Sequence, residues 1–184
     1  MNRFLLGTLL ATAVFLTSCG AGKKAPRKHH KTAHKEVKKE PEKADNSFVK
    51  KYSEILGVEL DRKCNQALIQ EVADWLGTRY KAGGNTKAGT DCSGFVSSVY
   101  QKVYGKSINR SSGDIYKQIR EVSKSQLKEG DILFFKIKSS HINHVGLYLN
   151  QNKFIHSSTS KGVIVNSLNE EYYSKYFFAA GRLN

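Results

Sequence analysis

His144-Val-Gly-Leu-Tyr-Leu-Asn-Gln-Asn-Lys-Phe-Ile-His-Ser157 is the stretch on which the architecture turns. Its first six residues alternate strictly, with Val145, Leu147 and Leu149 on one parity, the two-residue period of a strand with one apolar face. Asn150-Gln-Asn-Lys153 is turn chemistry, and residues 154–157 return alongside. A turn centred on Gln151 sets Gly146 opposite His156 and makes His144 its diagonal neighbour on the same face. Ile155 then joins Val145 and Leu147 toward the core. Both histidines go to the other, outer side, and Gly146 leaves space between them.

Working outward, residues 162–168 and 177–183 read as further strands of the same sheet. Upstream, Asp131-Ile-Leu-Phe-Phe-Lys-Ile-Lys138 is another. Earlier in the chain the apolar period is that of helices. Phe48, Tyr52, Ile55 and Leu56 recur at helical spacing ahead of Gly57, a C-cap residue. A second helix is expected from about 61 to 76, with Cys64, Leu68, Val72, Trp75 and Leu76 on one stripe. Residues 81–90, rich in glycine, read as a loop. A third helix starts at Asp91 or Cys92, turns Phe95, Val96, Val99 and Val103 inward, and stops at Gly105; a short one follows near 112–120. Helices first and strands later define an α+β domain, its N-terminal helices packed on an antiparallel sheet.

Asp91-Cys-Ser-Gly-Phe95 stands between that loop and the apolar helix. The Asp91 carboxylate can cap the helix, which puts Cys92 in the first turn. There, unpaired N–H groups and the positive end of the helix dipole favour a thiolate, and the same N–H groups can receive an oxyanion. A thiol of ordinary pKa is only slightly ionised at neutral pH, so a base has to stand nearby. His144 is the candidate base and His156 the candidate group that fixes its tautomer, because strand parity sets them side by side. His141 falls in the preceding loop and reads as solvated. Cys64, on the apolar stripe, reads as a small buried residue and not as a disulfide partner of Cys92.

The start of the chain carries a different signal. Asn2-Arg3 precedes an uncharged run over residues 4–18. That run is too short for a spanning helix of about 20 residues and suits a secretory signal over residues 1–18. Leu16-Thr-Ser-Cys19 resembles a bacterial lipobox, which implies cleavage before Cys19 and a lipid anchor on it. Residues 19–46 read as a basic, disordered tether. From residue 20 they hold nine Lys and Arg against four acids, three histidines without metal-site order and no aromatic residue. Such a segment has too little apolar surface to offset its ordering entropy. Residues 47–184 remain as one domain with a core of its own. The whole chain has a net charge of +14. Nucleic acid is the usual partner of a basic chain, but an exported protein meets little of it, and an anionic wall polymer suits the charge.

Taken in order and spacing, several motifs resemble the papain-like NlpC-type cell-wall peptidases. They are Gly77-Thr-Arg-Tyr80 with Gly83-Gly84, Asp91-Cys-Ser-Gly-Phe95, Arg110-Ser111 and Gly130-Asp-Ile-Leu-Phe-Phe135. His144-Val-Gly-Leu-Tyr148, Phe154-Ile-His-Ser-Ser158 and Gly162-Val-Ile-Val165 complete a likeness that runs through most of residues 75–183. The resemblance implies a papain-like fold and a cysteine endopeptidase of peptidoglycan stem peptides, working without metal or organic cofactor. Cys92 would be its nucleophile, His144 its general base and His156 its third polar residue. The resemblance also implies that Tyr80 and Asp91 line the pocket beside the nucleophile, while Arg110 and Ser111 close its other side. Near Arg110 the sequence departs from the family, with Asn109 in place of the usual proline and Ile115 in place of a glutamine.

Gly20 follows Cys19 without an aspartate retention signal, and the resemblance to other lipoproteins implies a lipid-anchored envelope protein on the outer membrane, facing the periplasm. Three alternatives stay open. The bond cut is either the D-alanyl cross-link or that between D-glutamate and the diamino acid. A non-catalytic wall-binding module is a second possibility, against which the intact Cys-His-His set speaks. A three-ligand metal site of Cys92, His144 and His156 is the third, and it leaves the Asp-Cys-Ser-Gly helix start unexplained. The oligomeric state is open.

Overall fold

The computed structural model describes residues 43–183. The signal segment, Cys19 and the tether up to residue 42 lie outside the described residues. Helix α1 (Asn46–Leu56) begins where Asp45 accepts the Phe48 N–H at 2.7 Å and ends at Gly57, whose φ of 62° is the left-handed conformation of a C-cap. Ala44 is fully buried, and its N–H donates to the Arg62 carbonyl at 2.9 Å, so packing begins ahead of residue 47. Helix α2 (Gln66–Trp75) buries Leu68, Ile69, Val72 and Trp75. It starts later than its apolar stripe suggests, because Asn65 caps it while Asp61 closes a tight turn on the Lys63 N–H. Cys64 therefore stands just before the helix, half-buried against the core, and both it and Cys92 are free thiols.

Residues 81–90 are not all loop: β1 (Asn85–Thr86) and β2 (Gly89–Thr90) form a two-residue antiparallel ladder. Helix α3 (Cys92–Tyr104) follows, capped by Asp91, ended by Gly105, and burying Phe95, Val96 and Val99. Helix α4 (Ser112–Tyr116) is shorter than its sequence span, since Ile119–Glu121 turns out as strand β3. The strands β4 (Ile132–Phe135), β5 (His144–Tyr148), β6 (Lys153–Ser158) and β7 (Gly162–Ser167) come next. Helix α5 (Glu171–Tyr176) and β8 (Phe177–Leu183) complete the domain. One antiparallel sheet has the order β3-β8-β4-β5-β6-β7, so the last strand returns to lie between β3 and β4. Asp131, 1% exposed, secures that return by taking two contacts of 2.7 Å from Arg182 on β8. No helix among the described residues is long and apolar enough to cross a membrane.

Strand β5 pairs with β6 through Leu147 opposite Ile155 and Tyr148 opposite Phe154, the register required by a turn centred on Gln151. Val145, Leu147 and Ile155 pack with the helices in one core. The other face of the sheet is not the open outer side that alternation suggested. Leu133, Phe135, Tyr148, Phe154, Leu168 and Tyr173 build a second apolar layer there, to which α5 contributes Tyr173. His144 is left 9% exposed and His156 1% exposed. Aromatic residues on the histidine parity, together with a helix that returns from beyond β7, cover what the hairpin alone would leave wet.

Candidate active site

Cys92 opens α3 where that helix packs on β5. Asp91 organises the junction. Its Oδ1 accepts the Gly94 N–H at 2.6 Å and its Oδ2 the Gly83 N–H at 2.8 Å. Arg110 donates to both oxygens, at 3.2 and 3.1 Å. Burial pushes the Asp91 carboxyl up, but Arg110 and the two N–H groups more than offset this and hold it below the ordinary carboxylate range. The loop carbonyl of Gly84 lies flat on α3: a Cβ on Gly94 would stand 2.0 Å from that oxygen. Glycine is required at 94 by close approach.

Backbone N–H groups of Val145, Ser93 and Cys92 itself favour the ionised sulfur, yet burial dominates and pushes the Cys92 thiol up, with the charge of Asp91 adding to the rise. The thiolate expected from the helix dipole is therefore a neutral thiol at rest, because desolvation outweighs the N–H groups at a half-buried sulfur. Tyr80, half-buried and bridged to Thr90, is raised first by burial and then by the charges of Cys92 and Asp91, so all three sit together.

Asn143 aligns the entry to β5 by exchanging two bonds with the backbone of Ile137, at 2.8 and 2.9 Å. Behind it, His144 Nε2 lies 2.8 Å from His156 Nδ1, the two rings nearly perpendicular at 88°. His156 stacks on Phe154, with ring centroids 5.1 Å apart, and meets the ring of Tyr173 edge-on. Its Nε2 stands 3.0 Å from Asn166 Oδ1 and 3.1 Å from the Tyr173 hydroxyl. Burial lowers the pKa of both imidazoles. His156 lowers His144 further, whereas Asn166 and Glu170 partly counter the fall at His156. Both rings are neutral at pH 7. With Nε2 engaged by His156, His144 keeps Nδ1 for other chemistry. Gly146 makes room for the pair: a Cβ there would stand 3.0 Å from the His156 Cβ.

Arg110 reaches the site through Asp91, with its side chain 41% exposed. Ser111 is engaged in capping α4, accepting the Asp114 N–H at 3.1 Å and donating to its carboxylate at 2.6 Å. His141 is exposed, in keeping with its reading as a solvated loop residue. A cavity of about 280 Å³ opens beside the histidine pair, lined in part by Ser158, Thr159, Ser160 and Tyr172. Sequence reasoning missed Asn166, Glu170 and Tyr173. Asn166 was within reach of it: on β7 it has the parity opposite Val163 and Val165, and it pairs across β6 with Phe154, two residues from His156.

A cysteine at the start of a helix packed on an antiparallel sheet, with a buried imidazole pair on two adjacent strands of that sheet, is the papain-like arrangement of cysteine peptidases. Within that class the chain belongs to the NlpC/P60 family, which residues 77–182 match. It is 35% identical over 174 residues to the Escherichia coli protein named murein DD-endopeptidase MepS/murein LD-carboxypeptidase, covering 95% of this chain and 89% of that one. It is 37% identical to the Bacillus subtilis gamma-D-glutamyl-L-lysine dipeptidyl-peptidase, over 71% of this chain and 45% of that one. The crystal structure of an NlpC/P60 family protein from Bacillus cereus superimposes with a TM-score of 0.60 at 31% identity, covering 65% of this chain and 40% of that one.

Proposed function

We propose that this protein is a peptidoglycan endopeptidase that cuts amide bonds of stem peptides with Cys92 as nucleophile, His144 as base and His156 as orienting residue. The observation that carries the reading is the buried 2.8 Å contact between His144 on β5 and His156 on β6, the two strands packed against the helix that Cys92 begins. A neutral thiol and a neutral imidazole suit this chemistry. The thiol gives its proton to His144 Nδ1 as sulfur attacks the carbonyl carbon. Backbone N–H groups at the start of α3 receive the oxyanion. The imidazolium then protonates the leaving amine, and the thioester is hydrolysed by water that His144 deprotonates. Tyr80, Asp91, Arg110 and Ser111 line the approach to the sulfur, with Asp91 and Arg110 also holding the helix start.

Alignment with the E. coli relative along nearly its whole length favours the D-alanyl cross-link as the bond cut. The B. subtilis relative supports a second reading, cleavage between D-glutamate and the diamino acid. Digestion of purified muropeptides, with mass spectrometry of the products, separates them. Conversion of cross-linked dimers to monomers supports the first bond, release of truncated stems the second. Intact muropeptides after prolonged digestion would refute the enzyme reading. Leu16-Thr-Ser-Cys19 supports a lipid anchor at Cys19 and a place on the outer membrane facing the wall, with peptidoglycan and not nucleic acid as the partner. Cys19→Ala should release the protein from the membrane fraction, and a wild type recovered as a soluble protein would exclude the anchor.

A further inference from the structure

We propose that Asn166 and Glu170 are positioning residues that set the tautomers of the histidine pair, so that the proton acceptor facing Cys92 is dictated from outside the triad. The proposal rests on the catalytic reading of Cys92 and His144. Beyond His156 the contacts continue in a line. The Asn166 Nδ2 lies 2.8 and 3.1 Å from the two Glu170 carboxylate oxygens, and Asn166 Oδ1 lies 3.0 Å from His156 Nε2. Glu170, just ahead of α5, also accepts the Ser167 N–H at 2.7 Å.

Hydrogen-bond polarity settles every proton in this line. An ionised carboxylate only accepts, so the Asn166 amide presents its NH₂ to Glu170 and its oxygen to His156. That oxygen also only accepts, so His156 carries its proton on Nε2 and has a lone pair on Nδ1. His144 Nε2 must then be the donor across the 2.8 Å contact, which leaves the lone pair of His144 on Nδ1. The Tyr173 hydroxyl, 3.1 Å from His156 Nε2, can donate or accept and therefore imposes neither arrangement.

Glu170→Gln reverses the line. The Ser167 N–H keeps the new amide oxygen on its side, so the amide NH₂ faces Asn166. Asn166 must turn its oxygen to it and offer its own NH₂ to His156. His156 Nε2 then accepts, its Nδ1 donates to His144 Nε2, and His144 carries its proton on Nδ1, unable to take one from Cys92. The combined swap Asn166→Asp with Glu170→Gln restores the first polarity, because residue 166 again offers an oxygen that accepts from His156 Nε2, now a carboxylate oxygen, and the amide at 170 donates to that carboxylate.

The test uses the full chain, with imidazole ¹⁵N shifts read in the Cys92→Ala background and kcat and KM read on one muropeptide with the cysteine present. In the otherwise wild-type protein both histidines should show protonated Nε2 and bare Nδ1. Glu170→Gln should shift both rings toward protonated Nδ1 and lower kcat by about tenfold or more, with KM little changed. The swap should return both the shifts and most of kcat, and should move the acid limb of the pH profile upward, since a carboxylate then touches His156. Glu170→Gln with unaltered shifts and kcat, or a swap that rescues neither, would overturn the proposal. A wild type that cleaves nothing would instead remove the catalytic reading on which it rests.

Discussion

Replacing Asp91 separates the forces that present the cysteine. Its carboxylate makes one helix cap, to Gly94, one loop contact, to Gly83, a longer contact of 3.2 Å with the Ser93 hydroxyl, and a two-point contact with a partly exposed arginine. Loss of an N-cap costs about 1 kcal/mol, and loss of a hydrogen bond to a charged acceptor about 1.5 to 3 kcal/mol, the lower end applying to the exposed Gly83 contact. The ion pair adds well under about 1 kcal/mol, because Arg110 is open to solvent. Asp91→Ala should therefore destabilise by about 2 to 3 kcal/mol, roughly 6 to 12 °C in melting temperature for a domain of this size. Asp91→Asn keeps an oxygen for Gly94 and should lose about half as much. Because the fold lowers the Asp91 pKa, the stability it supplies is present above its ordinary value of 3.8 and is lost as pH falls through the folded value. The gap between wild type and Asp91→Asn should close in strong acid. Urea unfolding followed by the fluorescence of Trp75, at pH 7 and pH 3, measures all of this. A cost below about 0.5 kcal/mol for Asp91→Ala, or equal costs for Ala and Asn, would refute the reasoning.

Cys92→Ala should abolish turnover with little change in the urea midpoint, while Cys64→Ala keeps most activity. Iodoacetamide should label Cys92 before Cys64, whose thiol burial pushes up to about 11, and the reverse order would move the nucleophile. Gly146→Ala places a Cβ 2.9 Å from the Ile155 carbonyl and 3.0 Å from the His156 Cβ. It should cost about 1 to 3 kcal/mol and lower kcat more than it alters KM; wild-type kinetics there would mean that the spacing of the pair is not set by this contact. The buried histidines have folded-state pKa values below their ordinary 6.5. The stability that follows is complete above that pH and is lost below it, as the unfolded chain takes up protons first. The urea midpoint of wild type should fall more steeply from pH 6.5 to 5 than that of His156→Gln, and parallel slopes would show that His156 does not titrate on unfolding.

Short-range chemistry is legible in this chain wherever it is strong. Asp91, Gly57 and Gly105 punctuate helices by their own conformational and hydrogen-bonding preferences, and the structure uses all three as caps. The β5–β6 register follows from alternation and a turn at Gln151, because slipping by one residue would turn every aliphatic side chain of that hairpin away from the helix-packed core. Where two local signals compete the reading drifts. Asn65 caps α2 and delays its start past the expected residue 61, and Ile119–Glu121 pairs with β8 where the sequence alone predicts that the short helix continues to 120.

The residues of the site could be read from motif order and strand parity, but not their ionisation. Parity places His144 and His156 on one face and is silent about what lies over that face. Tyr173 from α5, with Phe135 from β4 and Phe154 from β6, seals it and turns a wet imidazole pair into a buried neutral one. The same holds at Cys92, where a helix start favours a thiolate and packing beside β5 reverses the balance. Asn166 and Glu170 join the histidines only because β7 lies beside β6 and α5 follows in a tight turn. Caps, turns and register depend on neighbours a few residues away, so they are written locally. Desolvation and proton placement depend on whatever distant segments pack above a group, and only the assembled sheet and helices supply that.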